Sequence, residues 1–157
     1  MQARVSKQMP TSLTHALCGA ALAQATPAGV PRRRCVAVLA VLAIIPDVDV
    51  ASFWTGAHGM LWHRGVTHSL VFAACLGVGA GLACPEARRR GWRVVACISL
   101  LAWVAAASHG VLDAATSGGD GVGLLMPFSD QRFFFTWRPI VVSPIRPGTF
   151  WALASRV

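Results

Sequence analysis

Residues 94–115 read VVACISLLAWVAAASHGVLDAA. The run is apolar, and it carries His109 and Asp113 near its far end. These two are spaced i, i+4 and share one face of a helix. Two questions follow from an apolar helix with ligand-type residues at one end. They concern the solvent around the helix and the residues that meet its polar end.

Composition answers the first. Of 157 residues, 55% are hydrophobic and only 13% are charged. A water-soluble domain carries roughly 25% charged residues, so lipid is the expected solvent. The length suits one domain over residues 1–157. The net charge of +8 first suggests nucleic acid, but the placement of the charges argues against it. Arg32-Arg33-Arg34 and Arg88-Arg89-Arg90 with Arg93 directly flank apolar runs, as cytoplasmic loops between membrane helices do. No basic helix interleaved with aromatic residues is present, as single-strand binding would want. Membrane lipids, not nucleic acid, are the expected partners. Cys18, Cys35, Cys75, Cys84 and Cys97 form no CxxC pair. They read as small buried hydrophobes rather than a disulfide framework, with Cys18, one turn from His15, the alternative ligand among them.

Before this helix, Pro85 to Arg93 is a basic turn with Trp92 at its edge. Val66 to Cys84 is a third apolar helix, roughly 28 Å long and so about one bilayer core. Its Gly77 and Gly81 form a GxxxG pair, which lets another helix approach closely. Residues 50–65 read as a loop whose Phe53, Trp54 and Trp62 suit a membrane–water boundary. Cys35 to Ile45 is a short helix stopped by Pro46, with Asp47 and Asp49 directly after it. Thr11 or Ser12 caps a first helix reaching about Ala25. That segment also mimics a signal peptide, although Thr14, His15 and Gly19 interrupt its apolar centre. Helices one and two cover only about 22 and 21 Å, less than a ~30 Å core, so they do not span alone or the site is sunk below the surface. After a polar glycine-rich loop at 117–121, residues 122–157 are expected to lie along the membrane surface, with a short helix near Phe150. The expected fold is all-α: a small integral-membrane bundle of about four helices with an irregular C-terminal tail.

An up-down bundle answers the second question. The starts of helices one and three share a face with the ends of helices two and four. His15, Asp47, Asp49, His63, His68, His109 and Asp113 then converge there, and both arginine turns fall on the opposite face. Imidazole and carboxylate are ligands of zinc and similar divalent ions, so a divalent metal, zinc first, is the expected cofactor. Unpaired, these groups would be costly in a low-dielectric site. Thr67 and Ser69 read as caps or supporting donors, His58 as a solvated loop residue, and Asp120 and Asp130 as turn residues.

The stretches SLTHALCGAAL (12–22), IIPDVDV (44–50), WHRGVTHSL (62–70), SHGVLDAATSGGDGVGLLMPFSDQRFFF (108–135) and WRPIVVSPI (137–145) together resemble the bacterial membrane-bound metal-dependent hydrolase family, the LexA-regulated inner-membrane protein family. The HxxxD element is also faintly similar to that of zinc phospholipase C and related nucleases. The resemblance covers most of residues 11–147 and carries the same seven residues over as metal ligands. Relatives often continue with another apolar segment, so this copy is expected to be short. What the resemblance implies is an inner-membrane hydrolase in which a metal activates water on an unknown substrate, such as a phosphoester or a lipid-linked one. Asp49 is the candidate general base. Arg64 either holds an anionic group of the substrate or snorkels to headgroups. The excess of arginine in the two turns puts the site on the outer, periplasmic face. The rival readings are a non-catalytic or transport-related metal protein and a bis-histidine haem site on His15 and His109.

Overall fold

The computed structural model of the chain describes residues 12–56 and 58–140. In chain order the helices are α1 (Ser12–Leu22), α2 (Arg32–Leu42), α3 (Ser52–Thr55), α4 (Leu70–Ala83), α5 (Pro85–Arg90) and α6 (Trp92–Ala114). Among the described residues there is no β-strand, only two isolated bridges, Thr116 with Ile140 and Val122 with Phe133. The fold is all-α. The side chains of Phe53 and Trp54 and the helix expected near Phe150 lie outside the described residues.

The quoted run forms α6. Its 23 residues reach roughly 34 Å, and it is the one described helix long and apolar enough to cross a membrane. The helices around it are shorter than a bilayer core. α1 and α2 have 11 residues each. α4 starts at Leu70 rather than at Val66, so it has 14 residues and covers roughly 21 Å. The reason is local. Val66–His68 form a 3-10 turn, and Ser69 follows in an extended conformation. Its hydroxyl accepts from the Phe72 amide at 3.1 Å, which makes Ser69 the N-cap.

The α2 helix stops for a different reason. Pro46 lacks an N–H and crowds the preceding turn, so the chain continues as a 3-10 helix over Ile45–Ala51 that carries Asp47 and Asp49.

Small residues set the helix spacing. A Cβ on Gly77 would lie 2.6 Å from the Ser99 carbonyl oxygen, and one on Gly81 would collide with the Ser99 hydroxyl. The GxxxG pair is therefore the α4–α6 seam, while Gly79 between them faces open space. Gly19 lets α1 close on the Leu39 carbonyl of α2 in the same way. Ala102, Ala105 and Ala106 fill the α6 side of the core. Trp103 ties the seam to α4 by donating from its indole to the Leu70 carbonyl at 3.2 Å. Leu13, Leu17, Val38, Val41, Val78, Leu82 and Leu100 stay exposed on the flanks, as lipid-facing residues do.

The two arginine turns meet at one end of the bundle. Arg34 pairs with Glu86 at 2.7 Å, and the Arg90 guanidinium lies against Gly29. At the other end the described part of the tail departs from the expected surface-lying segment. Gly123 donates to the Arg64 carbonyl at 2.8 Å, and Leu70 donates to the Leu124 carbonyl at 3.0 Å. Val122 and Met126 are buried as a plug. These backbone bonds satisfy groups that a loose strip on the surface would leave to water. Phe128 and Trp137 remain exposed and suit a membrane boundary.

Candidate metal centre

Four elements deliver polar side chains to the same end of the bundle. His15 comes from the first turn of α1, Asp47 from the 3-10 helix after α2, and His68 from the 3-10 turn before α4. His109 and Asp113 come from the end of α6. His15, His68, His109 and Asp113 are all buried. The His15 and His109 rings stack with centroids 3.8 Å apart. The His68 ring stands edge-on to His109 at 4.8 Å. Stacked imidazoles leave no room for a porphyrin between them, so the bis-histidine haem reading is corrected.

The donor atoms face one another. Asp47 Oδ1 lies 3.2 Å from His109 Nε2. Asp113 Oδ2 lies 3.5 Å from His68 Nε2 and 4.0 Å from His109 Nε2, and Asp113 Oδ1 lies 3.7 Å from His15 Nε2. Despite this proximity, Nε2 of both His68 and His109 is buried with no aligned hydrogen-bond partner. The other ring nitrogens account for this. His109 Nδ1 is 2.7 Å from the Ala43 carbonyl, which can only accept, so Nδ1 carries the proton and Nε2 presents a lone pair. His68 Nδ1 faces Asp49 Oδ2 at 3.1 Å, so it too carries a proton, and Nε2 becomes a ligand once the ring gives up the second proton that Asp113 favours.

Two overlapping groups have ligand atoms close enough to share an ion: His15, His109 and Asp113, and Asp47, His68 and His109. With metal–ligand bonds near 2.0 Å and tetrahedral angles, donors around one zinc stand about 3.3 Å apart. The nitrogen–oxygen separations given above, 3.2 to 4.0 Å, lie near that value, and the ligand atoms of each group all fall within 4.8 Å of one another. The donor set therefore fits a divalent ion.

Sequence reasoning placed seven residues at the site, and the structure sorts them into two layers. Five point donors inward. Asp49 and His63 stand one layer further out. The Asp49 carboxylate accepts from the Arg64 amide at 2.9 Å and the Thr67 hydroxyl at 2.6 Å. It also faces Nδ1 of His63 at 2.7 Å and of His68 at 3.1 Å. Burial alone would raise the pKa of this carboxyl. The bonds from His63, His68 and Thr67 outweigh burial and hold the group well below the usual carboxylate range. Asp47 follows the same logic, with burial opposed by His109. For His68 burial favours the neutral ring, but the facing carboxylates of Asp113 and Asp49 win and raise its pKa above the ordinary value.

Arg64 is only 6% exposed, so its snorkelling to headgroups is corrected. Its Nε lies 3.0 Å from Asp113 Oδ2. Its Nη1 donates to the Thr116 hydroxyl at 3.1 Å and to the Gly118 carbonyl at 2.7 Å. It adopts φ +64°, a strained backbone for a side-chain-bearing residue.

Thr67 and Ser69 divide the roles expected of them: Thr67 supports Asp49, and Ser69 caps α4. Sequence reasoning missed Thr116, whose hydroxyl donates to the Asp113 carbonyl at 2.7 Å. It also missed Gly110, where a Cβ would lie 2.5 Å from the His68 carbonyl oxygen. A glycine directly after a ligand-type histidine was the available signal. His58 is exposed, as expected. With Trp62, Met126 and Arg132 it lines an open cleft of about 660 Å³. That cleft adjoins the outer layer, because Arg132 Nη1 donates to the His63 carbonyl at 3.2 Å.

A family model described as YdjM inner membrane protein matches residues 9–156. Inner membrane protein YbcI of Escherichia coli (strain K12) is 41% identical over 140 residues, covering 87% of this chain and 78% of that protein. No solved structure matches the chain.

Proposed function

The chain belongs to the YdjM inner membrane protein family, and from that premise we propose that it is a metal-dependent hydrolase of the inner membrane. The observation that carries the reading is the pair of buried Nε2 atoms on His68 and His109, which face carboxylate oxygens without an aligned hydrogen bond. In this reading His15, Asp47, His68, His109 and Asp113 hold a divalent ion, zinc first. Asp49 and His63 orient the ligands rather than bind: the Asp49 lone pairs are already committed to four donors, so it is not the general base. Such outer partners fix the tautomer and orientation of ligating histidines.

Charge supports a single ion. Asp47, Asp49 and Asp113 contribute three negative charges, and Arg64 returns one positive charge. With neutral histidines, one divalent ion brings the cluster to neutrality. Without it, protons must make up the difference, in line with the raised pKa of His68. Arg64 then serves Asp113: its guanidinium holds one carboxylate oxygen and balances its charge.

When bound, the ion supplies Lewis acidity, which makes water a nucleophile near neutral pH. Asp47 is the carboxylate nearest the outside, with a side chain 27% exposed. It also accepts from the Ser12 hydroxyl at 3.2 Å. Asp47 is thus the ligand placed to give way to water and to take its proton. The open cleft beside His63 suits a phosphoester or lipid-linked substrate, with Arg132 at hand for its negative charge. The arginine-rich end is assigned to the cytoplasm and the metal end to the periplasmic face. On this account several of the short helices cross with α6 in a thinned or tilted bundle.

The second reading is a non-catalytic metal site, favoured by the complete burial of His109. A closed site with four protein ligands is structural, whereas an open position favours catalysis. The test is turnover of phosphodiester and phospholipid panels by metal-loaded protein, wild type against Asp113→Asn. Turnover by the wild type that is lost in the variant supports the hydrolase. Bound metal with no turnover on any member of the panels favours the second reading.

A further inference from the structure

The opposite end of the bundle holds a feature that the metal centre does not use. An apolar cavity of about 220 Å³ lies between α2 on one side and α4 and α6 on the other. Val38, Leu39, Ala80, Cys84, Ile98 and Leu101 form its walls. The space is partly open to the outside and its lining is almost wholly apolar, a surface that suits an apolar chain rather than water. Taking about 30 Å³ for a small group, it has room for roughly seven methylene-sized groups.

Two observations identify the occupant. The first is depth. Ile98 and Leu101 lie about 9 and 14 Å along α6 from Trp92, so the cavity sits within one leaflet. It opens beside Val38, which is half-exposed on the lipid-facing flank. The second is charge. The Arg34–Glu86 pair forms part of the rim. Arg32, Arg33, Arg88 and Arg89 are exposed at this same end, and Glu86 is the only acidic residue among the described residues there. α2 opens with three arginines and no acidic residue in its first turn. Cations at the positive end of a helix repel the helix dipole and one another unless an anion joins them.

We infer that the cavity takes one acyl chain of an anionic phospholipid, whose phosphate lies among Arg32, Arg33 and Arg34. Basic pockets between membrane helices on the cytoplasmic side bind headgroups of this kind.

The test is native mass spectrometry of the full chain in a non-ionic detergent. Equal amounts of phosphatidylglycerol and phosphatidylcholine with identical acyl chains are added. The expected result is preferential retention of one phosphatidylglycerol. Arg32→Gln with Arg33→Gln lowers that retention about fivefold per arginine removed. Val38→Trp places an indole over the mouth while sparing every arginine, and it also loses the bound lipid. Both changes fall at exposed positions, and an unchanged thermal midpoint confirms that the variants are folded. Equal retention of the two lipids overturns the proposal. Undiminished phosphatidylglycerol binding by Val38→Trp does so as well, because the arginines alone would then suffice. Displacement by glycerol phosphate as effectively as by intact lipid is a third refuting result, since it would leave the acyl chain no role.

Discussion

Asp49→Asn separates the two roles an acidic residue can play beside a metal. In the wild type four donors converge on this carboxylate: Nδ1 of His63 at 2.7 Å, Nδ1 of His68 at 3.1 Å, the Arg64 amide at 2.9 Å and the Thr67 hydroxyl at 2.6 Å. Three of them reach Oδ2. An asparagine with its oxygen at that position keeps those three bonds but loses their charge assistance, and its amide faces the His63 ring nitrogen. Fold and ligand count survive, while the grip on the His68 tautomer weakens. Loss of an outer partner of this kind costs 10- to 100-fold in metal affinity, or about 1.4 to 2.7 kcal/mol. The assay is competition for zinc against a chromophoric chelator in detergent, with the stoichiometry at saturation measured alongside. The expected result is an unchanged stoichiometry with a dissociation constant raised 10- to 100-fold. Complete loss of the ion would make Asp49 a ligand. An unchanged constant with collapsed turnover would make it the general base. Either outcome refutes the two-layer arrangement.

Gly110→Ala puts a Cβ 2.5 Å from the His68 carbonyl oxygen, and the 66–68 turn must back away by on the order of 0.5–1 Å. Zinc affinity in the same competition assay should fall at least about tenfold, because His68 moves with its turn. Gly81→Val drives the α4–α6 seam apart and should cost about 1–3 kcal/mol in detergent unfolding. Gly79→Ala, which meets no neighbour, should stay within about 0.5 kcal/mol of the wild type. Metal affinity should rise with pH. The pKa of His68 is raised in the metal-free site, so the ring holds a proton that binding must expel. Calorimetry in buffers of different ionisation heat should show proton release below that pKa and less above it.

Helix topology was legible in the sequence because polar residues stood only where apolar runs ended. The alternating placement of His15, Asp47, His68 and His109 with Asp113 predicted their meeting without any knowledge of side-chain direction. The layering within the site was not legible. It depends on which ring nitrogen of His68 or His109 faces inward, and the bonds to Asp49 and Ala43 settle that. Distance along the chain hides both bonds. The start of α4 was misplaced because Val66 continues the apolar run, while the Ser69 hydroxyl, three residues on, sets the boundary. For Arg64 the sequence leaves two roles open, holding a substrate anion or snorkelling to headgroups, because its partners are remote in the chain. Its burial follows from Asp113, Thr116 and Gly118, all about fifty residues further along. The tail reads as lying along the membrane surface because its glycines and prolines break periodicity. Its anchoring comes from backbone bonds to Arg64 and Leu70, which periodicity does not encode.

The most direct measurement is the metal content of protein purified from the membrane and reloaded with zinc. Wild type is compared with the double variant His68→Ala with His109→Ala. The two inward-facing Nε2 atoms predict about one divalent ion per chain in the wild type and loss of that ion in the double variant. Equal metal in both, or none in the reloaded wild type, would contradict the existence of this centre.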